Sequence, residues 1–169
     1  MSQIEEKAPK QADERGLAGQ VIGDTAVCAV NQTQLMYRGY EIADLAANAT
    51  FEEVAYLLLV GNKPTSDELA SFKSELASMR AIPNSVKDAI IHIAKNTPEA
   101  HPMAVLRTSV SLLSHLCPVC EDNDAESDLR KSMYLLAQIP TCIGVHQMAL
   151  DGKTQSYIIG VPFTYIYII

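Results

Sequence analysis

The sequence predicts a mainly α, multi-helical chain with a short N-terminal β-hairpin, and three observations carry that reading. From Glu41 onward, apolar residues recur three and four positions apart between capping residues and helix breakers. The connections between these segments are short, as in an antiparallel helical stack. Ahead of Tyr40, two β-prone stretches, Thr25–Val30 and Leu35–Tyr37, flank Asn31–Gln34, which suits a hairpin although no Gly marks its turn.

Residues 1–15 read as a flexible, solvated arm in which Glu5, Glu6, Asp13 and Glu14 are mixed with Lys7, Lys10 and Arg15. Gly39 breaks the β-prone run. Thr50 is a good N-cap, and Glu53 three residues later completes a capping box. Phe51, Val54, Ala55, Leu58 and Leu59 form the apolar face of that helix, and Gly61 stands where a C-terminal glycine belongs. Thr65 or Ser66 caps a helix through Leu69, Phe72, Leu76 and Met79, and Asn84 caps Val86–Ala94. His101 precedes Pro102, which is tolerated in a first turn because that amide has no helical partner. This helix continues from Val105 to Leu116, and Pro118 stops it. The last helix is expected from about Asp124 to Ile139, ended by Pro140. Beyond Lys153 the character changes. Residues 154–169 end in a dense β-branched and aromatic run without charge, an aggregation hazard if exposed.

The chain has 169 residues, 48% hydrophobic and 20% charged, enough for one ordinary domain or a piece of a larger one. About 70% of the unfolded surface can be buried at this size, so a core forms without disulfides or metals. These totals exclude disorder, a collagen-like chain and a cysteine framework. The net charge of −7, with no basic block, argues against nucleic acid as a partner. No window offers the ~20 apolar residues that span a bilayer, so no membrane partner is expected. There is no signal-peptide core, and the arm is too acidic for a typical transit peptide. Four irregularly spaced Cys suit a reduced compartment. The reading is cytoplasmic, with a mitochondrial origin left open.

None of the chemistry-bearing residue types forms a convincing constellation. Cys117-Pro-Val-Cys120 lacks the second Cys or His pair of a zinc site, and it closes a helix rather than opening one, so it reads as an ordinary loop. Cys28 and Cys142 read as small core residues. Glu121, Asp122, Asp124, Glu126 and Asp128 are crowded, but Ser127 and Met133 stand where a calcium loop needs Gly and Glu. Ahead of Arg130 and Lys131, these acids suit the start of a helix dipole. His92, His101, His115 and His146 show no metal-binding spacing and no nucleophile signature nearby; His101 reads as a cap or packing residue. Gly16, Gly19 and Gly23 follow no strand and open no helix, so they form no phosphate loop.

Longer strings carry a resemblance. Gly16–Val30, Tyr37-Arg-Gly-Tyr-Glu-Ile42, Asp44-Leu-Ala46, Phe51–Leu59 with Gly61 and Pro64-Thr65, Ile82-Pro83, Ala100-His-Pro-Met103 and Val105-Leu-Arg-Thr108 stand in order. Together they resemble the citrate synthase family, in its citrate synthase and 2-methylcitrate synthase branch, over roughly Gly16 to Leu150. On that resemblance, residues 16–153 are the N-terminal part of a citrate synthase-like large domain. The resemblance implies a dimeric, almost wholly helical transferase. It condenses oxaloacetate with the acyl group of acetyl-CoA or propionyl-CoA and hydrolyses the thioester. An Asp and two His supply the proton transfers and enol stabilisation, with no metal or bound cofactor.

The family's catalytic His residues lie in His-Gly-Gly-Ala-Asn-Glu and Gly-His-Pro strings, and its catalytic Asp later still; neither string occurs here. No catalytic, cofactor-binding or metal-binding residue is therefore assigned to this chain. His146, in Gly-Val-His-Gln, matches neither string. Glu99 and Ala100 ahead of His101 and Met103 are not basic, which argues against a nucleotide site at that segment. The expectation is a truncated, inactive chain with at most an association role. Residues 154–169 would then be a tail foreign to the family, as a retained intron or frameshift produces.

Overall fold

The computed structural model describes residues 23–30 and 34–153. The proposed arm 1–15 and tail 154–169 lie outside the described residues. Three short strands, β1 (Cys28–Val30), β2 (Leu35–Tyr37) and β3 (Tyr40–Glu41), form an antiparallel meander in the order β1-β2-β3. The register pairs Ala29 with Met36 and Tyr37 with Tyr40. The expected hairpin is therefore present and gains a third strand. Between β2 and β3, Arg38 and Gly39 both have positive φ (48° and 86°), as tight two-residue hairpin turns require. Gly39 thus turns the sheet rather than ending it. Arg38 then donates from Nη2 to the Leu58 carbonyl at 3.1 Å, near the C-terminal end of the second helix, where positive charge is favoured.

Six helices follow: α1 (Ile42–Asn48), α2 (Phe51–Val60), α3 (Ser66–Met79), α4 (Asn84–Asn96), α5 (Pro102–Ser114) and α6 (Ala125–Leu150). The chain is mainly α, as its sequence pattern predicts. Capping chemistry sets most boundaries. The Thr50 and Glu53 side chains form the expected capping box, and Thr65 with Glu68 forms a second one. Gly61 closes α2 at φ 104°, in the left-handed region where a side chain is strained. His101 caps α5, its Nδ1 accepting from the Met103 amide at 3.2 Å, and Pro102 occupies the first turn. Asp124 caps α6 by accepting from Ser127.

Four expectations are corrected. Asn84 is the first residue of α4 rather than its cap; Pro83 holds that position without a side-chain bond. On α2 the fully buried residue is Leu57, because this helix is apolar nearly all round and its seat is chosen by neighbours. Cys28 is exposed on the edge strand β1 and is not a core residue. Finally, Pro140 does not end α6, which runs through it to Leu150. Proline removes one hydrogen bond and crowds the preceding turn. Here its ring is fully buried, and apolar contacts before and after it hold the helix together. The neighbours of Pro140 also bond across: Thr141 Oγ1 donates to the Arg80 carbonyl at 2.9 Å, and Gln138 Nε2 to the Ala81 carbonyl at 3.4 Å.

Helix α6 packs on α3, α4 and α5 and serves two cores. Before Pro140, Met133 and Ala137 join Phe72, Leu76 and Met79, with the Tyr56 ring set edge-on to Phe72 at 5.4 Å. After it, Cys142 and Val145 join Val86, Ile90, Val105 and Leu113.

Candidate functional site

The second core is where polar side chains go inside. Among the described residues, the buried polar side chains are Ser109, Thr141 and His146. Ser109 Oγ donates to the Val105 carbonyl at 2.8 Å and Thr141 to Arg80, so both are satisfied. His146 is 7% exposed, and its buried Nε2 has no hydrogen-bond partner. Such a group costs ~1–3 kcal/mol when it stays unpaired. His146 lines a cleft of about 140 Å³ between α5 and α6, together with Met103, Leu106, Ser109, Cys142 and Ile143. Met103 (64% exposed) and Ile143 (43%) stand at this cleft as large apolar residues facing water.

Few polar groups line the cleft. Burial pushes the Cys142 thiol up to about 11, which keeps it neutral and unreactive near neutrality. No carboxylate lines the cleft, and its one hydroxyl is engaged by the backbone. What it offers is apolar surface with one polar contact, a surface for packing.

The other candidates occupy local structural roles. His92 bonds Asn96 at 3.4 Å within α4, and His115 is the C-cap residue of α5. Within the acidic string, Asp124 is a cap and Asp128 pairs with Lys131 at 3.1 Å. Among the described residues, no group of three or more His, Cys, Asp or Glu could hold a metal ion. Cys117 and Cys120 lie in the turn between α5 and α6, half-buried and unbridged. Gly23 lies in the exposed stretch before β1, while Gly16 and Gly19 lie outside the described residues. The face of α6 bearing His146 escapes a reading in which Pro140 is a stop. Continued past it, Cys142, Val145 and His146 share one face at i, i+3 and i+4, turned about half a circle from the face of Met133 and Ala137.

The strings behind the family resemblance fall on the elements that build this frame: Tyr37–Ile42 makes the β2–β3 turn, Phe51–Leu59 is α2, and His101–Met103 opens α5. A family model described as citrate synthase, C-terminal domain, matches residues 16–159. The chain belongs to the citrate synthase family. Over 103 residues, 60% of the chain, it is 48% identical to a 2-methylcitrate synthase of Shewanella oneidensis, covering 27% of that protein. A 2-methylcitrate synthase of Mycobacterium tuberculosis is 37% identical over 82% of the chain, which spans 34% of that relative. The crystal structure of citrate synthase from Pyrobaculum aerophilum is similar with a TM-score of 0.74 and 25% identity, over 91% of this chain and 42% of that one. This citrate synthase-family chain thus spans less than half the length of these relatives.

Proposed function

We infer that this chain is part of a citrate synthase-type transferase that condenses oxaloacetate with acetyl-CoA or propionyl-CoA to citrate or 2-methylcitrate, without a metal or bound cofactor. The observation that carries this reading is the 48% identity to a protein named 2-methylcitrate synthase. The chain's own share is structural. His92 pairs with Asn96, His101 caps α5, and the one strongly shifted thiol is held neutral, which supports the reading that the proton transfers come from groups outside it. Alone, the chain is inactive. Its exposed Met103 and Ile143 at the cleft support self-association as a homodimer, the arrangement expected of the full-length family. No helix among the described residues is long and apolar enough to cross a membrane, and a cytoplasmic location fits this reading.

The test is oxaloacetate-dependent release of free CoA by the purified chain, with acetyl-CoA and with propionyl-CoA. No release above background is expected from either. Turnover with one of them would overturn the assignment of catalysis to groups outside the chain, and would name the acyl group.

A further inference from the structure

The connection from α5 to α6 holds a pair of thiols in a closed turn. The Cys120 amide donates to the Cys117 carbonyl at 3.3 Å, so Cys117-Pro118-Val119-Cys120 is a hydrogen-bonded β-turn. Pro118 at its second position pre-sets the backbone for this shape. A turn of this kind keeps its end Cα atoms within about 7 Å, and disulfides span about 4.4–6.8 Å between Cα atoms. Both thiols are half-buried, so a small reagent reaches them, and both are unbridged. Lys131, in the second turn of α6, bends back over this connection: Nζ donates to the Asp122 carbonyl and to Asp128 Oδ1. The hydrogen bond to Asp128 raises its pKa, so the ammonium stays charged beside the turn. It therefore offsets the neighbouring carboxylates of Glu121, Asp122 and Asp124 when a thiolate forms in the turn.

We propose that Cys117 and Cys120 form a reversible dithiol–disulfide site whose co-reactant is a small uncharged disulfide. In the first step the thiolate of Cys120 attacks one sulfur of the reagent, forming a mixed disulfide and releasing one thiolate. In the second, the thiolate of Cys117 attacks the Cys120 sulfur, closing the protein disulfide and releasing the second thiolate. The two protons lost by the cysteines go to those leaving thiolates. The protein pair is oxidised by two electrons and the reagent is reduced to two thiols. The turn brings the second thiol to the first, so its folded geometry favours the bridge over the mixed disulfide. The buried Cys142 takes no part.

The experiment uses the full chain carrying Cys28→Ser, to remove the exposed thiol of β1. It is equilibrated with 2-hydroxyethyl disulfide and 2-mercaptoethanol, with products read by intact mass and peptide mapping. The expected product is an intrachain bridge between Cys117 and Cys120, with an equilibrium constant about tenfold larger in the native chain than in concentrated urea. By linkage, the oxidised fold is then more stable by about 1.4 kcal/mol. Cys117→Ser should stop the reaction at the mixed disulfide on Cys120. Lys131→Gln, with unchanged helical circular dichroism, should slow the first step by about threefold. Equal constants in native and unfolded chains would overturn the proposal, as would only mixed or interchain disulfides. A Lys131→Gln rate equal to that of the parent would overturn the part given to the ammonium.

Discussion

The two halves of α6 on either side of Pro140 lean on different kinds of core. The first half, with α2 and α3, packs a core whose buried members are all apolar, under helices that each start with a capping box. The second half, with α4 and α5, packs an apolar cluster bordered by Ser109, Thr141 and His146 and opened by the cleft. Its helices start differently too: α4 has no side-chain cap, and α5 relies on His101. An apolar core gains from burial in proportion to area, whereas a buried polar group costs free energy until a partner arrives. The first half also leaves an open apolar groove of about 250 Å³, lined by Phe51, Val54, Leu58, Leu59, Ser132 and Leu136. What sets the second half apart is the buried imidazole without a partner in its cleft, and the association reading is tested there.

The largest test of this contrast is Leu76→Ala. Leu76 is fully buried in the first core, and its truncation should cost about 2–5 kcal/mol in urea unfolding. A loss below about 1 kcal/mol would mean that this core is loose. Ile143→Asp probes the other half. A carboxylate at this partly exposed position should leave the unfolding free energy of the monomer within about 0.5 kcal/mol. If the cleft is an association surface, the same change should weaken self-association at least tenfold in sedimentation, about 1.4 kcal/mol. Equal association by the two proteins would remove the cleft from the interface. His146→Leu should stabilise the isolated chain by about 1 kcal/mol, because it removes a buried group without a partner. Destabilisation of that size would show instead that the imidazole contributes through packing or a bond of its own.

The smallest effect expected is on acid sensitivity. Glu53, Glu68 and Asp124 are held below the usual carboxylate range, first by hydrogen bonds from the backbone amides of Thr50, Thr65 and Ser127. A carboxyl whose pKa is lower folded than unfolded adds stability that is complete above its unfolded value. That stability is lost as pH falls through the folded value. These groups sit at the starts of α2, α3 and α6. Hydrogen exchange at those three helix starts should therefore accelerate as pH falls below the ordinary carboxylate range, relative to the chemical rate, and before the start of α4, which has no side-chain cap, responds. Uniform acceleration across all four would show that the caps do not set the local order.

Much of the frame is legible in the order of residues alone. Thr50 with Glu53, Gly61, and His101 with Pro102 mark boundaries through contacts within four residues, which depend on local chemistry. Thr65 with Glu68 carries the same capping signal at the start of α3. The family strings are legible for a related reason, since they coincide with turns and helix starts such as Tyr37–Ile42. The absence of the family's two His strings can also be read directly. It is the sequence fact behind the reading that this chain packs rather than catalyses.

Tertiary structure decided what local chemistry leaves open. Pro140 is a stop by every local rule, yet the burial of its ring and the cores on both sides carry α6 through it. Only that continuation brings Cys142 and His146 against α5 and makes the cleft. Leu57 rather than Leu58 is buried because a helix apolar over most of its surface takes its orientation from its neighbours. The thiol pair of Cys117 and Cys120 is visible as spacing, but the closed turn and the returning Lys131 belong to the packed chain. Caps and turns are set over a few residues and can be read from them. The course of a helix through a proline, and the place of a polar side chain in a core, depend on contacts with residues distant in sequence, whose arrangement exists only once the chain has packed.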